Sequence, residues 1–342
     1  MQAPEHRGIA SGVETPKLSG KALLTGASGF IGGRLRDLLL DQGVDVVAIR
    51  RRGSPPSKKG RSIEANYDDL GALRALVAEE KPDYVFHVAG VTKGVTYQDF
   101  QAGNVLPTKN LLRAIADEHP GLRRFVHYSS LACFGPSTAS HPLSEGAPRK
   151  PIEHYGKSKL EAEEVVESFG NLPWTILRPG GVYGPGDVDY FNLFREVAKG
   201  RNVFFGNKDR WFSAVYVDDL LAASLLVADK EAAIRKAYFV CDQKPITWGE
   251  FQKAIVDAAG RPVLTMNLPE MLVSGAAFFG ELATKMDKKP RLFNRQKAIM
   301  GAQEAWTCTS AALSADTGYA PQVGYKQGVE RALAWYRKEK WL

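Results

Sequence analysis

Apolar residues in the first half of the chain gather in short runs that alternate with segments of helical spacing. The run at 22–26, ALLTG, breaks at glycine; behind it Ile31, Leu35, Leu38 and Leu39 recur at helical intervals until Gly43. VDVVAI predicts the next strand, DDLGALRALVAEE the next helix, and DYVFHVAG a further strand. A helix through NLLRAIADEH, a strand RRFVHYSS, a helix through HYGKSKLEAEEVVESF and a strand WTILRP continue the series. Strands separated by helices pair in parallel through right-handed crossovers, so the pattern predicts an α/β fold with a doubly wound parallel sheet.

The rhythm changes after Pro179. GGVYGPGD is turn-rich, FSAVYVDDLLAASLLVADK reads as one more strand–helix pair, and TWGEFQKAIVDAAG opens with a capping box from Thr247 to Glu250. The remainder is mostly helical. The expected organisation is a polar tail over 1–19 and a sheet domain over 20–178, to which 212–241 return. A smaller, mainly helical domain is expected from 179–211 and 242–342.

With 342 residues, 44% of them hydrophobic, the chain can bury a large core. A formal net charge of +7 comes from scattered lysines and arginines without a basic run, which argues against nucleic acid; the excess suits an anionic small substrate, a membrane surface or simply a solvated exterior. Cys133, Cys241 and Cys308 lie far apart, as expected of a reducing compartment rather than a disulfide framework. Residues 1–20 lack a signal-peptide core, and no apolar run reaches the ~18 residues of a membrane span, so a cytoplasmic protein is expected. One apolar stretch, 268–286, contains Met271, Leu272, Phe278, Phe279 and Leu282. It reads as a core helix, or else as a lid or interfacial helix beside Lys288, Lys289, Arg291 and Arg295.

TGASGFIG places Gly26, Gly29 and Gly32 between the first strand and the first helix. Glycines there permit a tight turn, backbone approach to a pyrophosphate and close helix–strand packing, with the helix N-terminus facing the negative charge. The spacing, followed in order by HVAG, NVLPTKNLL, HYSSLACFG, YGKSK, RPGGVYGPGD and VYVDDL, resembles the extended short-chain dehydrogenase/reductase family over nearly the whole chain after residue 20. The resemblance implies a Rossmann-type fold that binds NAD(P). It also implies that Ser28, Phe30, Ile31, Ala89, Asn104, Pro179 and Val182 line the dinucleotide. A homodimer is the expected assembly.

Tyr155 and Lys159 are four apart in a helical segment and share a face. Hydride transfer to a carbonyl needs a proton donor at the developing alkoxide; a tyrosine beside an ammonium can serve, and the lysine can also hold the nicotinamide ribose. Ser130, at the end of its strand, can hold the substrate oxygen, and the family's spacing selects it over Ser129. His87 is expected to be structural. Asp218 and Asp219 are expected to cap a helix, and no metal is expected.

The tip of the second strand, where an acid would accept bonds from an adenosine ribose, carries Arg50, Arg51 and Arg52, with no acid before Glu64. Guanidinium groups bind a 2′-phosphate, so NADP(H) is the expected cofactor, through Arg50 and Arg51, with NAD(H) as the alternative. Asn66 stands where the family usually has aspartate near the adenine. Gly181 and Phe212 stand where members that bind nucleotide sugars usually carry asparagine and arginine, with Arg210 near enough to substitute. The tail resembles hydroxysteroid dehydrogenase-like and flavonol reductase-like members. The resulting expectation is an NADP-dependent oxidoreductase that interconverts an alcohol and a ketone on a bulky apolar substrate touching Ser130, Gly181 and Phe212. The alternatives are a nucleotide-sugar epimerase or dehydratase and a non-catalytic NADP sensor.

Overall fold

A computed structural model describes residues 15–270 and 295–342 except 52, 55 and 58, together with residue 275. Arg52 and most of the 268–286 stretch, with Lys288, Lys289 and Arg291, therefore lie outside the described residues, as does the side chain of Arg295.

Seven parallel strands form the main sheet: β1 (Lys21–Thr25), β2 (Asp45–Arg50), β3 (Arg61–Glu64), β4 (Tyr84–His87), β5 (Arg124–Tyr128), β6 (Trp174–Pro179) and Lys236–Val240, in the order Lys236–Val240, β6, β5, β4, β1, β2, β3. Every residue of β4, β5 and β6 is buried, as a sheet covered on both faces requires. Helix α1 (Phe30–Asp41) turns Leu35 and Leu39 onto one face. Helix α2 (Leu70–Glu80) and the helix Leu106–Glu118 cover the other with Leu73, Val77, Leu111 and Ile115. The strand order reverses between β1 and β4, and a crevice opens there at the carboxyl ends of the strands. This is the Rossmann-type sheet expected from the sequence.

The smaller, largely helical C-terminal region has an aromatic core of its own, with Tyr183, Phe194, Phe212, Tyr216, Phe251 and Tyr336. Its helix Trp248–Ala259 opens on the Thr247–Glu250 capping box and stops at Gly260 in a left-handed conformation. Short strand pairs that the apolar pattern did not predict frame it, including Arg201–Phe205 with Leu264–Leu268. Asp218 and Asp219 do not cap their own helix, Val217–Asp229. Asp218 pairs with Arg34, and buried Asp219 accepts the backbone N–H groups of Gln322 and Val323 at 2.9 and 3.0 Å, tying the C-terminal segment to the sheet domain. No helix among the described residues is long and apolar enough to cross a membrane.

Candidate active site

The glycine loop is built for close backbone approach. Gly26 has φ +73°, and a Cβ there would sit 2.8 Å from the Ala89 nitrogen; at Gly32 it would sit 2.2 Å from the Gly26 carbonyl oxygen. Helix α1 begins after Gly29 with no side-chain cap and no acid in its first turn, which leaves its N–H groups to an anion. Gly26, Ser28, Gly29, Phe30, Ile31 and Gly32 line one end of a cleft of about 810 Å³. Arg50, Arg51 and Asn66 also line it, as do Ala89, Pro179 and Val182. Asn104 does not line the cleft. It is buried in a π-helical turn, accepts from the Val91 N–H at 2.7 Å and donates to Ser158 Oγ at 2.8 Å, bracing the loop after β4 against the helix His154–Ser168, hereafter α3.

Arg50 does not read as a free phosphate site. Parallel pairing of β2 with β3 sets Arg50 opposite Glu64, and the two form an ion pair at 2.5 Å. The same Nη1 also donates to the Ser54 carbonyl at 2.9 Å. Arg50 is thus paired with an acid fourteen residues on, carried by an edge strand.

At the middle of the cleft, Ser130 ends the loop after β5 and accepts the Ala132 N–H at 3.2 Å. Tyr155 lies in the first turn of α3, whose N-cap Glu153 accepts the Tyr155 and Gly156 N–H groups at 2.6 and 2.5 Å. Lys159, one turn on and 5% exposed, donates to the Tyr128 carbonyl at 2.8 Å and stands 6.0 Å from the Tyr155 ring centroid. Burial pushes the Tyr155 phenol up to about 12, opposed by the hydrogen bond from Ser130. Burial also pulls Lys159 down to about 8, opposed by Glu163 and Cys133. At neutral pH the pair is a phenol beside an ammonium, arranged to give a proton to an oxygen held by Ser130.

One support, Glu163, escaped the sequence reading; His87 is structural, as expected. Glu163, one turn beyond Lys159 and fully buried, accepts from Arg178 at 2.7 Å and from the Cys133 thiol at 3.1 Å. The YxxxKxxxE spacing of α3 was the available signal. Behind the site, both ring nitrogens of His87 are engaged, with Thr25 Oγ1 at 2.9 Å and Thr108 Oγ1 at 3.0 Å, and burial lowers its pKa to about 3.

The expected substrate contacts need correction. Phe212 is 4% exposed and stacks on Trp248 at 4.3 Å between centroids, inside the C-terminal core; neither it nor Gly181 lines the cleft. A second cavity of about 340 Å³ opens beside the first, and Asp189 and Tyr190 line both. Its walls include Phe204, Trp248, Asn207, Lys208 and Arg210; Arg210 is ion-paired with Glu270.

Residues 22–241 match the model of the NAD dependent epimerase/dehydratase family. The chain belongs to this family. It is an NAD(P)-binding, oxidoreductase-type enzyme of the extended short-chain dehydrogenase/epimerase superfamily. Its sequence relatives within that group include proteins named for a lipid and for a nucleotide sugar. A ceramide reductase of Caulobacter vibrioides is 28% identical over 328 residues, covering 94% of this chain and 96% of that protein. A UDP-glucose 4-epimerase of Mycolicibacterium smegmatis is 28% identical over 343 residues, covering 93% and 99%. The solved structure of MoeE5 in complex with UDP-glucuronic acid and NAD is similar with a TM-score of 0.75 and 24% identity, over 94% of this chain and all of that one.

These findings correct four expectations. The finer likeness to hydroxysteroid dehydrogenases and flavonol reductases gives way to the family itself, because the structures of this fold include sugar-nucleotide enzymes. The apolar substrate is withdrawn, because the ring expected to contact it is buried in the core and the cavity beside the cleft is lined by Lys208 and Arg210. NADP is withdrawn, because Arg50 is neutralised by Glu64 and the similar structure holds NAD. The homodimer and the membrane contact gain no support from the described residues.

Proposed function

We propose that the protein is an NAD-dependent enzyme acting on a nucleotide-linked sugar, of epimerase or dehydratase type. The observation that carries this reading is the second cavity. An aromatic-walled recess with Asn207 and Lys208 fits a base and its phosphates, and it shares Asp189 and Tyr190 with the cleft lined by Ser130, Tyr155 and Lys159, where the sugar would lie. The relative from Mycolicibacterium smegmatis and the MoeE5 structure support the same class.

The glycine loop, with its uncapped helix, fits the pyrophosphate of NAD, and Arg50 at the β2 end of the cleft is held by Glu64. When bound, NAD supplies the hydride acceptor. The chain supplies the rest. Ser130 holds the sugar oxygen, Tyr155 exchanges its proton, and Lys159 holds a positive charge beside the phenol and contributes a donor to the nicotinamide ribose. We read residues 20–178, with 212–241, as the cofactor-binding half and 179–211 with 242–342 as the substrate half. Three buried free thiols accord with a cytoplasmic setting.

The test is a binding titration of the NAD-loaded protein with UDP-glucose, dTDP-glucose and a sterol control, followed by product analysis. The expected result is micromolar affinity for a nucleotide sugar and an altered sugar without net accumulation of NADH. Absence of any nucleotide-sugar binding overturns the proposal.

A further inference from the structure

We infer that Tyr190 is the residue that reads the phosphoryl bridge of the ligand, and that Gly181 is there to admit its hydroxyl. The inference rests on the nucleotide-sugar reading above. A ligand with its sugar at Ser130 and its base in the second cavity must carry its linking group past the junction of the two, and Asp189 and Tyr190 line both spaces. Asp189 offers only acceptor oxygens and is paired with Lys93 at 3.2 Å, so of the two shared residues only Tyr190 carries a neutral side-chain donor.

The geometry fixes that hydroxyl. Asp187 accepts the Tyr190 N–H at 2.8 Å and sets the backbone. The ring lies nearly parallel to Trp248 (6.0 Å between centroids, 20°), edge-on to Phe251 at 5.5 Å, and tilted against Tyr183 at 6.3 Å. Its oxygen occupies the place of a side chain at 181, where a Cβ would lie only 2.2 Å from it. The same Cβ would lie 3.4 Å from the ring carbon that bears the oxygen. A methyl group at position 181 therefore requires the hydroxyl to shift or to be gone, and the packing of the ring against Trp248, Phe251 and Tyr183 opposes the shift.

Titration of the NAD-loaded protein with UDP-glucose, UDP and uridine tests this in wild type, Tyr190→Phe, Gly181→Ala and the double variant, with NAD affinity and thermal unfolding as controls of folding. A lost hydrogen bond to a charged acceptor predicts about tenfold weaker binding of UDP-glucose and UDP by Tyr190→Phe, with uridine and NAD unchanged. Gly181→Ala should weaken UDP-glucose at least as much in the wild-type background and far less in the Tyr190→Phe background. Unchanged UDP affinity in Tyr190→Phe, an equal loss for uridine, or strict additivity overturns the inference while leaving the substrate reading intact. A wild-type protein that binds neither UDP nor UDP-glucose overturns both.

Discussion

Replacing Glu64 by glutamine should move the cofactor preference toward NADP, and its size follows from the geometry at the tip of β2. The carboxylate holds Nη1 of Arg50 at 2.5 Å, and both side chains are partly exposed. A 2′-phosphate resting on the remaining face of the guanidinium would stand roughly 6 Å from the carboxylate, by the width of the guanidinium fork. With a phosphate charge of about −1.5 to −2 and an effective dielectric between about 40 and 80, the repulsion is ~1–3 kcal/mol, reduced to ~1 kcal/mol by physiological salt. Release of the guanidinium as a charge-assisted donor adds about 1 kcal/mol in favour of the phosphate. The two effects together predict a gain of roughly tenfold or more in NADP affinity, against a change of about twofold or less for NAD.

Isothermal titration of wild type and variant with NAD and NADP, at low and at physiological salt, measures both. The wild type should prefer NAD, and the gain for NADP should be larger at low salt. A wild type that already prefers NADP, or a variant whose NADP affinity stays put, would refute the assignment of Glu64 as the residue that neutralises Arg50.

Tyr155→Phe should lower turnover by ~10²–10⁴-fold with NAD affinity retained, since only the proton path is removed; rapid-quench assays beside NAD titration check it. The charge on Lys159 is lost as pH rises through about 8, so kcat/KM should fall above that value. Glu163→Gln removes a neighbour that favours the ammonium, so the falling limb should move to lower pH; a limb that stays in place counts against Lys159 as its source. Arg178→Ala leaves the buried Glu163 carboxylate without its main partner and should cost about 3–5 kcal/mol in urea unfolding; a loss below ~1 kcal/mol would show that Arg149 and Cys133 suffice. Gly32→Ala places a methyl group 2.2 Å from the Gly26 carbonyl oxygen, and NAD affinity should collapse while the far-UV circular dichroism persists.

The parts of the molecule that were legible in the sequence are those written in local spacing. The sheet announced itself through apolar runs that end in glycine or at a helix start. The glycine loop and the Tyr155–Lys159 spacing lie within a single turn or helix, so the sequence also places them next to one another in space. What went unread depends on pairing across distance. Strand β3, RSIE, has no apolar alternation to mark it, yet its parallel register carries Glu64 to Arg50 and reverses the meaning of that arginine. Phe212 sits in a two-residue strand whose inward turn is decided by pairing with Ile246 and stacking on Trp248, neither visible near residue 212. Tyr190 precedes a short helix in a turn-rich stretch, and its place between two cavities comes from an aromatic cluster assembled from segments far apart in the chain.

The Tyr336 hydroxyl donates to the carbonyls of Gly184 and Asp187, 152 and 149 residues upstream, at 3.2 and 2.9 Å. The loop that positions Tyr190 is thus anchored from a helix made long after it. On the ribosome, at about 5–20 residues per second, roughly 7–30 s separate synthesis of that loop from synthesis of its anchor. During that interval a nascent chain already contains the glycine loop, Ser130, Tyr155 and Lys159, but lacks the bond that holds the substrate wall. On the proposed function, competence to hold the dinucleotide therefore precedes competence to hold the sugar, and the order of translation separates the two halves of the site in time.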